Sequence, residues 1–220
     1  LTEQVITALQ LQKRNKERVN LFLDGEFAFA LHLSLAANLQ KGQTLSPAQI
    51  NELQQADEAQ SAYQSALYFL SYRPRSQTEV GQHLRGKEFA PSTIASVLQR
   101  LVTERYLDDS AFAQFWLESR EQFRPRSVRA LRYELRQKGV DKEVIDETLV
   151  TVDEEASAWA AVEGKLARWQ TLEQAEFSQK VIGFLARRGF SYAITRQVCK
   201  RAWNTLDRSG VMELDHDADG

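Results

Sequence analysis

The sequence predicts a mainly α-helical protein, with three tandem three-helix repeat units in an elongated curved stack and a small N-terminal antiparallel β-meander. Three observations lead there. The tetrapeptide Arg73-Pro74-Arg75-Ser76 returns as Arg124-Pro125-Arg126-Ser127, 51 residues later. The offset then holds without a gap, setting Leu84 opposite Leu135, Arg85 opposite Arg136, Lys87 opposite Lys138, Phe89 opposite Val140, Ile94 opposite Ile145 and Leu98 opposite Leu149. A fixed period of this size marks a duplicated supersecondary unit whose copies stack to share a core. A third, more diverged copy places Leu185, Arg188, Gly189 and Phe190 opposite Leu135, Lys138, Gly139 and Val140. Lastly, apolar residues alternate up to about Leu31 and recur at helical spacing from about His32 onward.

The strands come first. Val5, Thr7, Leu9 and Leu11 form a partly alternating set, Arg14 to Glu17 is a polar turn, and Val19, Leu21 and Leu23 alternate cleanly. Asp24-Gly25 signals a two-residue hairpin, because a type I′ turn needs positive φ at both central positions. Phe27 and Phe29 continue the alternation, so a three-stranded meander is expected. A sheet this small must pack on something else.

The helices follow. Ser46 is read as an N-cap with Pro47 in the first turn and Gln49 completing a capping box, and a separate longer helix is read from about Asp57 to Tyr72. Ser76 with Glu79 is a second capping box, opening a helix with Val80 and Leu84 on its apolar face. Pro91 opens the next, with Ile94, Val97, Leu98 and Leu101 in a helical stripe. The second copy repeats the pattern from about Asp109, from Ser127 and from Asp141 as N-cap. The third has Trp159, Val162, Leu166 and Trp169, then Val181, Phe184 and Leu185, then Ser191 capping a last helix. The expected domains are residues 1–56 (meander and short helices), 57–107, 108–152 and 153–206 (the three repeats), and 207–220, an acidic tail too poor in apolar residues to fold.

Composition narrows the function classes. A hydrophobic share of 43% is ordinary for a globular chain, and a net charge of −2 gives no global case for nucleic acid, so any basic surface is local. One cysteine, Cys199, excludes an internal disulfide framework and fits a reducing cytoplasm. There is no run of membrane-spanning length and no signal-peptide pattern; Leu1 in place of Met reads as a missing natural start. His32, His83, His216 and Cys199 have no metal-ligand spacing, and neither a phosphate-cradling Gly-Lys-Ser/Thr loop nor a nucleophile elbow occurs. His83 reads as a partly exposed helical histidine, Asp108-Asp109 as a helix N-terminus, and the tryptophans as core. No enzyme and no cofactor is expected.

One stretch is locally basic: Arg120, Arg124, Arg126, Arg129, Arg132, Arg136 and Lys138, opposed only by Glu121 and Glu134. On the helix from Ser127, Arg129, Arg132 and Arg136 fall at i, i+3 and i+7, beside the core-facing stripe of Val128, Leu131 and Leu135. Guanidinium groups in a row suit phosphates or carboxylates, because the planar fork donates two parallel hydrogen bonds. The competing reading is a solvated face with weak ion pairs. In the first copy Thr78 and Gly81 occupy the places of Arg129 and Arg132, so the stripe belongs to the middle unit alone.

Several segments resemble one bacterial family. Ala66-Leu67-Tyr68-Phe69-Leu70-Ser71-Tyr72-Arg73-Pro74-Arg75-Ser76, followed by Glu79-Val80 and Leu84, is similar to the opening of the RecX family. So are Tyr106-Leu107-Asp108-Asp109 with Phe112-Ala113, and Leu135-Arg136-Gln137-Lys138-Gly139-Val140. Asn15 to Phe29 is similar to the N-terminal extension of its longer members, and Glu88 stands where a Lys-Gly pair is usual. The resemblance implies a cytoplasmic regulator that binds RecA and its filament on single-stranded DNA; separately, the chain is expected to be a monomer. It further implies suppression of RecA ATP hydrolysis, strand exchange and co-protease activity, within recombination, DNA repair and the SOS response. The arginine stripe is then expected to meet acidic groups of RecA or phosphates of the bound strand. The alternative is a direct DNA-binding regulator, since a three-helix unit with an arginine helix can imitate a helix-turn-helix reader. Against it stands the lack of base-reading Asn or Gln among the arginines.

Overall fold

A computed structural model describes residues 2–214, with side chains through residue 206. It is mostly helical, with an N-terminal antiparallel sheet and three three-helix domains, and it divides into two compact units, Leu1–Asp108 and Asp109–Gly220.

In the first unit β1 (Gln4–Leu11), β2 (Arg18–Leu23) and β3 (Glu26–His32) form the expected meander. Leu21 lies opposite both Leu9 and Phe29. Asp24 and Gly25 have φ of 51° and 94°, the paired positive values that the hairpin signal demanded. Ile6, Val19, Leu21, Leu23 and Leu31 are buried with Leu45, and the half-buried Ile50 and Leu53 pack against them. After a short helix, α1 (Leu33–Ala36), the sheet gains a fourth strand that the sequence reading lacked: β4 (Thr44–Leu45), giving the order β3-β2-β1-β4. Gly42, at φ 90°, turns the chain back so that its N–H reaches the Ile6 carbonyl at 2.8 Å. Two residues are too few to show alternation, so the periodicity of the sequence carries no sign of this strand.

α2 (Pro47–Leu70) corrects a second expectation, because it is one helix rather than two. Ser46 and Gln49 form the capping box as read. No Gly or Pro interrupts the residues after Pro47, so nothing stops the helix at Asp57. Asp57 instead lies mid-helix, where its Oδ1 accepts from the Arg18 guanidinium at 2.8 Å and the His32 N–H at 2.6 Å, tying the sheet to the helix. α3 (Gln77–Arg85) and α4 (Pro91–Thr103) complete the first three-helix domain, with Ala62, Ala66, Val80, Leu84, Val97 and Leu101 at its centre.

The second unit holds α5 (Asp109–Phe123), α6 (Val128–Gln137) and α7 (Lys142–Leu149), then α8 (Glu154–Glu163), α9 (Leu166–Trp169), α10 (Gln174–Ala186) and α11 (Tyr192–Leu214). Asp141 takes the N-cap position of α7 with extended backbone, but its side chain makes no cap bond. The first helix of the third repeat is broken at Gly164, which ends α8 and leaves α9 as a separate turn. Of the segment 207–220 expected as a tail, the backbone is helical to Leu214, and residues 215–220 lie outside the described residues.

One turn recurs in all three domains and explains the sequence period. Leu84, Leu135 and Leu185 are fully buried, and their carbonyls accept from the N–H groups of Phe89, Val140 and Phe190 at 3.4, 3.1 and 3.2 Å. The residue before each donor is left-handed: Glu88 (φ 64°), Gly139 (φ 74°) and Gly189 (φ 91°). This is the six-to-one bond of a Schellman cap, which closes a helix and starts the next at a fixed angle.

Candidate docking surface on the middle three-helix domain

α6 is set by its own sequence. The fully buried Ser127 accepts the Ala130 N–H at 3.1 Å, and Leu131 and Leu135 anchor the inner face. The remaining face carries Arg129, Arg132 and Arg136 on one side, as the spacing required.

The seven predicted basic residues divide into distinct groups. Arg120 and Arg126 converge on Glu134, with N–O separations of 2.7 and 3.2 Å. Glu134 also accepts from Trp116 Nε1 at 2.9 Å, and the Arg120 guanidinium lies 4.4 Å from the centre of the Trp116 ring system. The buried Nε of Arg126 is near Glu134 but outside hydrogen-bonding geometry. Lys138 Nζ is 5.2 Å from the Trp116 ring. Arg132 pairs with Asp146 at 2.8 Å, and Lys142 pairs with the other oxygen of the same carboxylate. These two cations hold the Asp146 carboxyl below its ordinary range, the Lys142 bond contributing most.

Arg124, Arg129 and Arg136 are different. All three are exposed, and among the described residues none makes an ion pair. The first domain shows why this matters. There Arg73, the counterpart of Arg124, is held by both oxygens of Glu79 at 2.9 and 3.2 Å. Arg75, the counterpart of Arg126, stacks over Phe69 at 4.0 Å. In the middle domain Ala130 stands where Glu79 would be, so Arg124 has lost its carboxylate, while Arg129 replaces Thr78. In the first copy Arg73 and Arg75 are structural; the middle copy has released Arg124 and added Arg129 and Arg132, while Arg136 matches the exposed Arg85.

Arg188 was not among the predicted residues and belongs beside them. Its guanidinium stacks on Phe184 at 4.4 Å and donates to the Pro125 carbonyl at 3.2 Å, while its backbone carbonyl accepts from the Ser127 N–H at 3.2 Å. Burial, then Arg124 and Arg126, push its pKa down. The signal was present in the sequence, since Arg188 aligns with Lys138 in the third copy. Among the described residues no group of three or more His, Cys, Asp or Glu side chains is placed to hold a metal, and no helix is long and apolar enough to cross a membrane.

Comparison with known proteins agrees with the repeat architecture. Residues 4–46 match the regulatory protein RecX N-terminal domain. Residues 62–101, 108–149 and 153–199 match the first, second and third RecX three-helix domains. Regulatory protein RecX of Bacillus subtilis (strain 168) is 37% identical over 194 residues, covering 86% of this chain and 74% of the relative. This chain belongs to the RecX family. RecX of Listeria monocytogenes serovar 1/2a is 29% identical over 214 residues, covering 95% of this chain and 80% of the relative. A crystal structure of regulatory protein RecX superposes with a TM-score of 0.68 at 26% identity, covering 89% of this chain and 98% of that one. RecX from Lactobacillus salivarius shares the fold, with a TM-score of 0.57 at 21% identity, covering 67% of this chain and 97% of that one. The family is a regulatory, non-catalytic one.

Proposed function

We propose that this protein binds RecA and its filament on single-stranded DNA, suppresses RecA activity, and engages the filament through the middle three-helix domain. Membership of the RecX family supports a regulatory role. The observation that carries the site is the set Arg124, Arg129 and Arg136, exposed cations without a carboxylate partner among the described residues; at the first two positions the first domain has a paired Arg73 and a neutral Thr78, and at the third the exposed Arg85. Such groups are available to acidic side chains or phosphates of a partner at little cost in desolvation. The paired residues Arg120, Arg126 and Arg132 hold that surface in place.

The test is filament binding by a chain carrying Arg124→Glu, Arg129→Glu and Arg136→Glu. Three reversed contacts at roughly 0.5–1 kcal/mol each weaken binding by about tenfold or more. Circular dichroism should stay unchanged, because no replaced side chain holds an internal ion pair. Unchanged affinity would remove these residues from the site.

A further inference from the structure

We propose that the cleft between α6 and the start of α11 seats one nucleotide of a single strand, with its phosphate on Arg129 and Arg132 and its base on Tyr192. The proposal deepens the filament reading, since a filament on single-stranded DNA supplies such a strand, but its test needs no RecA.

The cleft has a volume of about 520 Å³, within the range of small-ligand sites, and lies wholly within the second unit. Its chemistry is mixed in a specific way. Arg129 brings a guanidinium without an ion pair, and Arg132 contributes the donors that Asp146 does not use. Ser191 Oγ accepts the Ile194 N–H at 3.3 Å, and the other first-turn amides of the 23-residue α11 have no acceptor within the helix, which leaves a positive end facing the same space. Tyr192 is 69% exposed, an aromatic face held at the rim by the helix that it begins. Glu154 lines the same cleft and brings a carboxylate to it.

That carboxylate discriminates between ligands. A bare phosphate or an acidic peptide would meet repulsion from Glu154 and gain nothing from Tyr192. A nucleotide carries an anion for the arginines, a flat ring for the tyrosine and N–H or O–H donors for the glutamate. The surface outside the cleft favours a strand over a free nucleotide. Along the exposed side of α6, Arg129 is followed by Tyr133, 65% exposed, and then Arg136. At 1.5 Å per residue, Arg129 to Arg136 spans about 10 Å, roughly one to two further nucleotides of an extended chain. Alternating cations and aromatic faces are the pattern by which proteins hold single strands without reading sequence.

The experiment is fluorescence anisotropy of a labelled oligo(dT) with the full chain in the absence of RecA. Binding is expected. Tyr192→Phe should hold it within about twofold and Tyr192→Ala should weaken it by roughly five- to 150-fold, the range for loss of one stacked base. Arg129→Ala should reduce the slope of log affinity against log salt by about 0.7, the share of one phosphate on a single strand. Tyr192→Ala binding as tightly as the wild type would overturn the seat. So would free dTMP competing as well as the oligomer, which would point to a mononucleotide pocket. Suppression of RecA without any affinity for oligo(dT) would sink this inference and leave the filament reading standing; oligo(dT) binding with RecA unaffected would do the reverse.

Discussion

Gly189→Ala tests how the second and third domains are joined. At Gly189 the backbone has φ +91°, and an added Cβ would lie 2.6 Å from Ser127 Oγ and 3.0 Å from Ala130 Cβ. Two costs follow. The left-handed backbone alone costs an L-residue about 1–2 kcal/mol. The overlap then forces Ser127 to move, and Ser127 is the N-cap of α6, a bond worth about 1 kcal/mol. The expected loss is therefore about 2–3 kcal/mol. Gly42→Ala is the control, because Gly42 has φ +90° with nothing within 4 Å of the added atom. It should cost only the backbone share. Urea unfolding reads both as a shift in midpoint at constant slope. The double variant Gly189→Ala with Ser127→Ala should fall short of additivity by about 1 kcal/mol, since the displaced cap can be lost only once. If Gly189→Ala costs no more than Gly42→Ala, and the double variant is additive, the two domains do not meet through this cap.

Glu88 occupies the left-handed position that Gly139 and Gly189 fill in the other domains, so Glu88→Gly should stabilise the first unit by about 0.5–1 kcal/mol, read as a higher urea midpoint. Asp57→Ala removes the acceptor shared by Arg18 and the His32 N–H, leaving that amide unpaired and the half-buried Arg18 cation with the Ala30 carbonyl at 2.8 Å but no carboxylate; a loss of about 2–3 kcal/mol is expected by the same measurement. His83 stacks on Phe69 at 4.2 Å, and burial, followed by Lys87 and Arg75, holds its pKa below the ordinary 6.5. The unfolded chain therefore takes up the proton first on acidification. This contribution to stability is whole above pH 6.5 and falls as the pH drops through the lower folded value; His83→Phe should flatten that slope in urea midpoints measured across the window.

Much of the fold was legible because its signals are local. Ser46 with Gln49, Ser76 with Glu79, and Ser127 each cap a helix in the structure as their spacing announced, since a cap is made within four residues. The 51-residue offset marked a repeated turn that the Leu84, Leu135 and Leu185 carbonyls make visible. What escaped depends on distant partners. β4 exists through its pairing with Gln4 and Val5, some forty residues away in sequence. Asp57 resembled a helix start because its partners, Arg18 and His32, lie on strands that periodicity does not connect to it. The candidate site divides in the same way. Helical spacing placed Arg129, Arg132 and Arg136 together, but only the packing of α7 shows that Asp146 takes one of them. Arg124 became distinctive once Arg73 was seen gripping Glu79, which the middle copy replaces with Ala130.

The most direct measurement is the single-stranded-DNA-dependent ATPase of the cognate RecA, titrated with this chain and with the Arg124→Glu, Arg129→Glu, Arg136→Glu variant. The account predicts inhibition at amounts well below the RecA concentration, with the variant needing about tenfold more for the same effect. An ATPase untouched even by excess wild-type chain would contradict it.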